Sequence, residues 1–282
     1  MRSTARRRGG KARPSERDIE HAAEAARCVV RTHEAVAGFL REGQTLAEID
    51  RFVADTLAKL GCKSCFLHYR AGRHPPFPAH ACLSVNDNVV HGHPGAHQEP
   101  MQPGDVLKVD IGVTKAGWIG DAAWTYSFGE PDETTRRLMD CSIECLKRGV
   151  AALQPGAPLI DWARAVQGYA EQECGFHMIR GLGGHGYGRS LHAPPFVSNC
   201  VPAVPRIEWP DAYAKLEPGM LLAVEPMIAV GSSRIVQRGN GWPLMVADGS
   251  QSVHHEHDVL ITEEGPRVLT ADLEKLPDVI TT

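Results

Sequence analysis

Two passages of this 282-residue chain recur in the same order at nearly the same separation, and that constrains the fold more than composition does. Leu40-Arg-Glu-Gly43-Gln-Thr-Leu46 is answered 113 residues later by Leu153-Gln-Pro-Gly156-Ala-Pro-Leu159. Pro103-Gly-Asp-Val-Leu-Lys-Val-Asp110 is answered 115 residues later by Pro218-Gly-Met-Leu-Leu-Ala-Val-Glu225, with a carboxylate ending each copy. The coarse pattern repeats with them. Ile19, Ala22, Ala26, Val29, Val30 and His33 predict a helix from Asp18 until Gly43 stops it, and Thr45 with Glu48 spells a capping box for a second helix ending at Gly61. Strand-like segments over 81–90 and 106–128 follow, then a second helical pair over 133–153 and 158–174, then more strands. The expectation is an α+β fold of two helix-helix-sheet halves, related by a pseudo-two-fold that brings Asp110 and Glu225 to a shared centre.

Composition narrows the setting. With 43% hydrophobic and 23% charged residues the chain is globular, and 30 basic against 34 acidic residues argue against DNA as a partner. No stretch reaches the 18 or more apolar residues of a membrane span, since even Leu221 to Val230 is broken by Glu225. The eight cysteines form no regular framework and read as reduced thiols of a cytoplasmic protein, with Cys62/Cys65 and Cys141/Cys145 as structural pairs. Residues 1–17 are rich in arginine, glycine and proline and read as a flexible basic tail, able to touch a ribosome transiently, ahead of a single catalytic domain over 18–282.

The chemistry begins at a hairpin. Alternation along Val106 to Gly112 puts Leu107, Val109 and Ile111 on a core face, and Val106, Lys108 and Asp110 on the other. The chain turns through Thr114-Lys-Ala-Gly117 and returns through Trp118 to Asp121; with Lys115 and Ala116 as the loop residues, Asp110 stands directly opposite Asp121. Opposed like charges are destabilising. Either one carboxyl is protonated, or a cation lies between the two, or the register is slipped and the pair sits on the surface.

The second copy supplies Glu225, and His254-His-Glu-His-Asp258 supplies Glu256. Four carboxylates at one centre are too costly to bury unpaired, whereas two divalent ions would neutralise them. An imidazole is offered by Gly181-Leu-Gly-Gly-His185-Gly-Tyr-Gly188-Arg-Ser-Leu-His192, a glycine-rich loop whose backbone could approach a ligand closely. Such an oxygen-rich set suits manganese, iron or cobalt, and zinc less specifically. Two tempting motifs fail. Gly181 to Gly186 fits G-x-G-x-x-G without a helix after it, and His255-Glu256 lacks the second histidine of H-E-x-x-H, Val259 standing in its place. His93, His97, His254, His255 and His257 each read as surface or structural histidines.

Val90-His91-Gly92, Val109-Asp110-Ile-Gly112, Gly120-Asp121, Gly184-His185-Gly186 with His192, Val224-Glu225-Pro-Met227 and Glu256-His257 together resemble the type I methionine aminopeptidases, in order, from about residue 18 to 270. The resemblance implies a pita-bread fold whose two halves cradle a dinuclear metal centre, and removal of the initiator methionine from nascent polypeptides when the second residue is small. Carried over, Asp110, Asp121, His185, Glu225 and Glu256 would be metal ligands, with Asp121 and Glu256 bridging two divalent ions (Mn, Fe, Co or Zn). His91, His192 and Glu225 would be catalytic, both histidines also meeting the substrate, and Phe77, Cys82, Leu191 and Trp242 would line the methionine pocket.

The chain departs from the family pattern at five places. His74 stands for an aromatic and adds a polar edge to the pocket, Pro75 for a histidine, Leu191 for a phenylalanine, and His254 and Asp258 for glutamine and threonine. A monomer is expected. Two alternatives share the fold: an Xaa-Pro aminopeptidase or prolidase, against which the compact plan argues, and a non-catalytic binding module, against which the full ligand set argues.

Overall fold

Helix α1 (Glu16–Phe39) starts at a capping box in which Ser15 accepts from the Asp18 N–H while the Asp18 carboxylate accepts from the Ser15 N–H. In the computed structural model, which describes residues 14–72, 74–237 and 241–281, the tail expected over 1–17 therefore gives way to helix at Glu16. Residues 1–13 lie outside the described residues. Helix α2 (Leu46–Lys59) has the expected Thr45–Glu48 box.

These helices share a core with a five-stranded sheet built from β1 (Lys63–Ser64), β2 (Cys82–Val85), β4 (Val106–Lys115), β5 (Trp118–Phe128) and β16 (Val279–Ile280). Leu107, Val109 and Ile111 enter that core, as the alternation requires. The second half repeats the plan. Helices α3 (Glu133–Ala152) and α4 (Ile160–Gln167), the latter continuing as wider π-helical turns over Gly168–Glu173, share a second core with β7 (Gly183–Gly186), β8 (Ala193–Ser198), β9 (Leu221–Val224), β14 (His257–Thr262) and β15 (Gly265–Val268). Two three-stranded sheets complete the fold: β6 (His177–Met178), β10 (Met227–Ala229) and β13 (Ser252–His254), and β3 (Asn88–Val90), β11 (Ile235–Gln237) and β12 (Leu244–Val246). A short helix, α5 (Pro205–Glu208), lies between β8 and β9. Two related helix-helix-sheet halves make this the pita-bread fold.

The β4–β5 hairpin corrects the expected register. Its loop is Ala116-Gly117, with Lys115 paired to Trp118, so Asp110 faces Ala123 and Asp121 faces Gly112. Both loop residues have positive φ, 51° and 78°, as a type I′ turn demands, and Gly117 meets that demand most cheaply inside the turn. Moving the loop by one residue shifts the pairing by two. Asp110 and Asp121 thus remain on one face as diagonal neighbours, within reach of a shared partner.

Strand β5 is buried along its whole length because both halves close on it. On one side α1 presents Ala22, Ala25 and Ala26, all buried. A Cβ on Gly120 would lie 2.6–2.7 Å from the backbone of Ala25 and Ala26, so only glycine lets the helix seat there, next to Asp121. Gly120→Ala should therefore lower stability by about 1–3 kcal/mol, the usual cost of overpacking, read as a shift in the denaturant midpoint; an unchanged midpoint would show that α1 does not press on β5.

Candidate metal centre

The inner faces of the two large sheets meet, and strand register decides which side chains they bring together. In the first half Cys82 on β2 is paired with Asp110 on β4, and Asp121 lies on the same face of β5. In the second half Ala223 of β9 pairs with both His185 of β7 and Asp258 of β14. Glu225 and Glu256, each two residues along the chain from that row, fall on the same side. The halves are pinned here by backbone: the Glu256 N–H donates to the Ala123 carbonyl at 2.9 Å, and the Asp121 N–H donates to Asp258 Oδ2 at 2.9 Å. From behind, Asn199 Nδ2 donates to the Glu225 carbonyl at 2.8 Å and is itself held through its Oδ1 by the Trp162 indole of α4.

All eleven site residues expected from the sequence line one cavity of about 400 Å³. Its floor is the carboxylate cluster. His185 Nε2 lies 3.8 Å from Asp121 Oδ2 and 4.0 Å from Glu225 Oε1, and its Nδ1 is 3.1 Å from the Gly186 carbonyl. A proton on Nδ1 donated to that carbonyl leaves the Nε2 lone pair facing the carboxylates, the tautomer that binds metal. The glycines around His185 serve a purpose other than the one expected of them. A Cβ on Gly184 would press into the Ala223 carbonyl and one on Gly183 into the Val197 carbonyl, so they let β7 sit closely between β8 and β9, and His185 is on a strand, not a loop.

Electrostatics show what the cluster needs. Burial pushes Asp110 up to about 7, with Glu225 adding to the shift and His254 opposing it, and pushes Glu225 up to about 8. Burial, then neighbouring carboxylates, drives Asp121 and Glu256 well above the ordinary range; burial does the same to Asp258. Asp110 Oδ1, Asp121 Oδ1 and His254 Nε2 are buried without hydrogen-bond partners. Orphaned acceptors converging on one point are what a cation would satisfy. Two sets of converging donor atoms stand out, Asp121 with His185 and Glu256, and Glu225 with His254 and Glu256. The donor set fits divalent ions.

The walls are aromatic. Phe77 meets Trp242 edge-to-face at 5.4 Å, and His91 meets Trp242 at 5.8 Å. The Trp242 indole N–H is held by the Pro75 carbonyl at 2.9 Å. His74 does not line the cavity; it stacks against Trp242 at 5.1 Å, so the polar edge expected from it lies behind the wall. His91 sits at φ 60°, a left-handed backbone that a non-glycine residue adopts at a cost. Burial pulls its imidazole down to about 4, leaving it neutral. His192 stands at the exposed rim, its ring 4.3 Å from that of His185.

Three features escape the sequence reading. Tyr69, on a loop closed by the paired backbone of His68, Tyr69 and Phe77, brings its hydroxyl 2.6 Å from His192 Nδ1. No short motif flags it. His254, expected to be a surface or structural histidine, is buried at the cluster, whereas His255 and His257, on the opposite face, bond to Ser142 and Thr270 and pack on Trp124, as structural histidines do. The Cys62-x-x-Cys65 spacing does not make a pair: both thiols are free, and Cys62 lies beside Cys28.

Comparison with known proteins follows the same lines. The sequence profile of metallopeptidase family M24 matches residues 20–263. The methionine aminopeptidase of Aquifex aeolicus is similar at 34% identity, over 91% of this chain and 97% of that protein. The crystal structure of methionine aminopeptidase from Thermotoga maritima superposes with a TM-score of 0.82 at 34% identity, covering 91% of this chain and 97% of that one. An Xaa-Pro dipeptidase from Bacillus anthracis shares the fold, with a TM-score of 0.71 at 20% identity, over 95% of this chain and 64% of its own.

Raised carboxyl pKa values make metal-free stability fall with pH. Stability from these protonated groups is fully present below the unfolded carboxylate range near pH 4 and is lost as pH rises through about 7 to 8. A bound cation removes that loss, so manganese should raise the melting temperature of metal-free protein more at pH 8 than at pH 6; equal increments would show that the cluster does not hold the ion.

Proposed function

The chain belongs to metallopeptidase family M24, among its methionine aminopeptidases, and from that premise we propose that it removes the initiator methionine from nascent polypeptides whose second residue is small. The observation that carries the reading is a carboxylate and imidazole cluster at the floor of an aromatic cavity sized for one side chain and a short backbone. Asp110, Asp121, His185, Glu225 and Glu256 would hold two divalent ions, manganese, iron, cobalt or zinc. Bound there, divalent ions acidify a water and polarise the scissile carbonyl.

The protein groups divide the remaining work. Phe77, Cys82, Leu191 and Trp242 receive the methionine side chain, whose thioether gains from aromatic edges and adapts to an irregular wall. Neutral His91, set deep beside Trp242, hydrogen-bonds the peptide nitrogen. Glu225 takes a proton from the attacking water and returns it to the leaving amine. His192 at the rim donates Nε2–H to the carbonyl oxygen as charge develops there. Donation from the Tyr69 hydroxyl to Nδ1 fixes His192 in that tautomer.

Among the described residues no helix is long and apolar enough to cross a membrane. The setting that fits is the cytoplasm, with the protein a monomer and its basic N-terminal residues in transient contact with the ribosome. The specificity test is kcat/KM of metal-loaded enzyme on peptides beginning Met-Ala, Met-Phe and Ala-Pro. Met-Ala should be cleaved well and the other two poorly; equal rates on Met-Ala and Met-Phe, or preference for Ala-Pro, would overturn the reading.

His192→Ala should lower kcat by about 10²-fold or more, the scale of one lost oxyanion donor, with metal content unchanged. Tyr69→Phe should cost less, about 10-fold, the scale of losing an orienting partner. Loss of metal from His192→Ala would place that residue among the ligands instead.

A further inference from the structure

Of the four histidines that line the cavity, His91, His185, His192 and His254, only His254 has no part in the function proposed above. Its ring is fixed in place. The backbone is clamped on both sides by Thr125 of β5, whose Oγ1 donates to the His254 carbonyl at 2.6 Å and accepts from the His254 N–H at 3.1 Å. The side chain is 2% exposed and lies among the cavity-lining residues.

Nε2 stands 3.2 Å from Glu225 Oε2 and 4.0 Å from Glu256 Oε2. Despite the shorter distance, it makes no hydrogen bond of acceptable geometry and is left without a partner in a buried site. An N–H donor serving only to orient Glu225 would point at its oxygen. An unprotonated nitrogen that close to a carboxylate needs positive charge between them, a shared proton or a cation. The spacing suits the second case, because donors about 2.1 Å from one ion stand about 3.0–3.4 Å apart.

Glu225 makes the symmetry plain. Its Oε1 lies 4.0 Å from His185 Nε2 and its Oε2 lies 3.2 Å from His254 Nε2, so one carboxylate spans two imidazoles, each facing a different oxygen. Glu256 belongs to both donor sets.

We propose that His254 is a sixth protein ligand, its Nε2 coordinating an ion of the dinuclear centre beside Glu225 and Glu256. This rests on the dinuclear reading above. A nitrogen ligand in place of an amide moves that position towards cobalt, ferrous iron and zinc and away from manganese, whose affinity for imidazole is lower in the divalent series. Glutamine, with a similar reach and an amide N–H, would still hydrogen-bond Glu225 but would not supply the imidazole.

The experiment uses the full chain stripped of metal and reloaded with cobalt(II), with wild type, His254→Gln and His185→Gln compared by calorimetric titration and elemental analysis. His254→Gln should keep one ion at wild-type affinity and bind the other at least 10-fold more weakly, with a smaller loss for manganese than for cobalt. Both ions binding His254→Gln as they bind wild type would overturn the proposal and leave His254 as a hydrogen-bond donor to Glu225. A second readout needs no variant. Cobalt-loaded wild type should show two paramagnetically shifted, exchangeable imidazole N–H signals in proton NMR, one per ligating ring; a single signal in the two-cobalt form would refute the inference. Failure of the dinuclear reading is distinguishable, because wild type itself would then bind fewer than two ions.

Discussion

Four carboxyl groups, Asp110, Asp121, Glu225 and Glu256, line one cavity, with Asp258 bonded to the backbone of Asp121 beside them, and their mutual repulsion is the constraint from which the rest of the structure follows. No small protein segment could hold such a cluster, because removing several charges from water costs far more than one hydrogen bond returns. Here the cost is met by a rigid frame. Strands β4 and β5 of one half, and β9 and β14 of the other, aim the groups inward, α1 seats on Gly120 directly behind Asp121, and Trp162 with Asn199 anchors the backbone of Glu225. Cations complete the balance. The frame fixes the donors; the ions neutralise them.

The aromatic wall meets a different requirement with the same rigidity. Trp242 is held through its indole nitrogen by Pro75, braced by His74, and meets Phe77 and His91 edge-on. A pocket so braced would discriminate by shape, where one methylene is worth about 1–3 kcal/mol, and the proposed roles leave polar recognition of the peptide to His91 and His192. The departures from the family pattern are divided in the same way. Leu191 bears on pocket shape, whereas His254 and Asp258 flank Glu256 and bear on the charge of the cluster.

Much of this was legible in the sequence. The offset of the two Pro-Gly passages signals the duplicated halves, the Thr45–Glu48 box marks the start of α2, and the five residues expected as ligands and the four expected in the pocket line one cavity. What was not legible has particular causes. The hairpin register depends on Ala116 adopting positive φ, a conformation that alanine does not advertise, and a loop one residue off still keeps Asp110 and Asp121 on one face. Tyr69 reaches His192 across a gap of 123 positions through a loop with no periodic pattern. His254 looks like any other member of a histidine-rich run, and only the two-residue alternation along 254–257 separates it, facing the cluster, from His255 and His257, which face Trp124.

The account stands or falls on where cations bind. Anomalous diffraction from crystals of the full chain loaded with manganese tests this directly. The account predicts two anomalous peaks inside the cavity, both within coordination distance of Glu256 and together touching Asp110, Asp121, His185 and Glu225. A cavity with no anomalous peak at saturating manganese, or peaks confined to surface carboxylates, would contradict it.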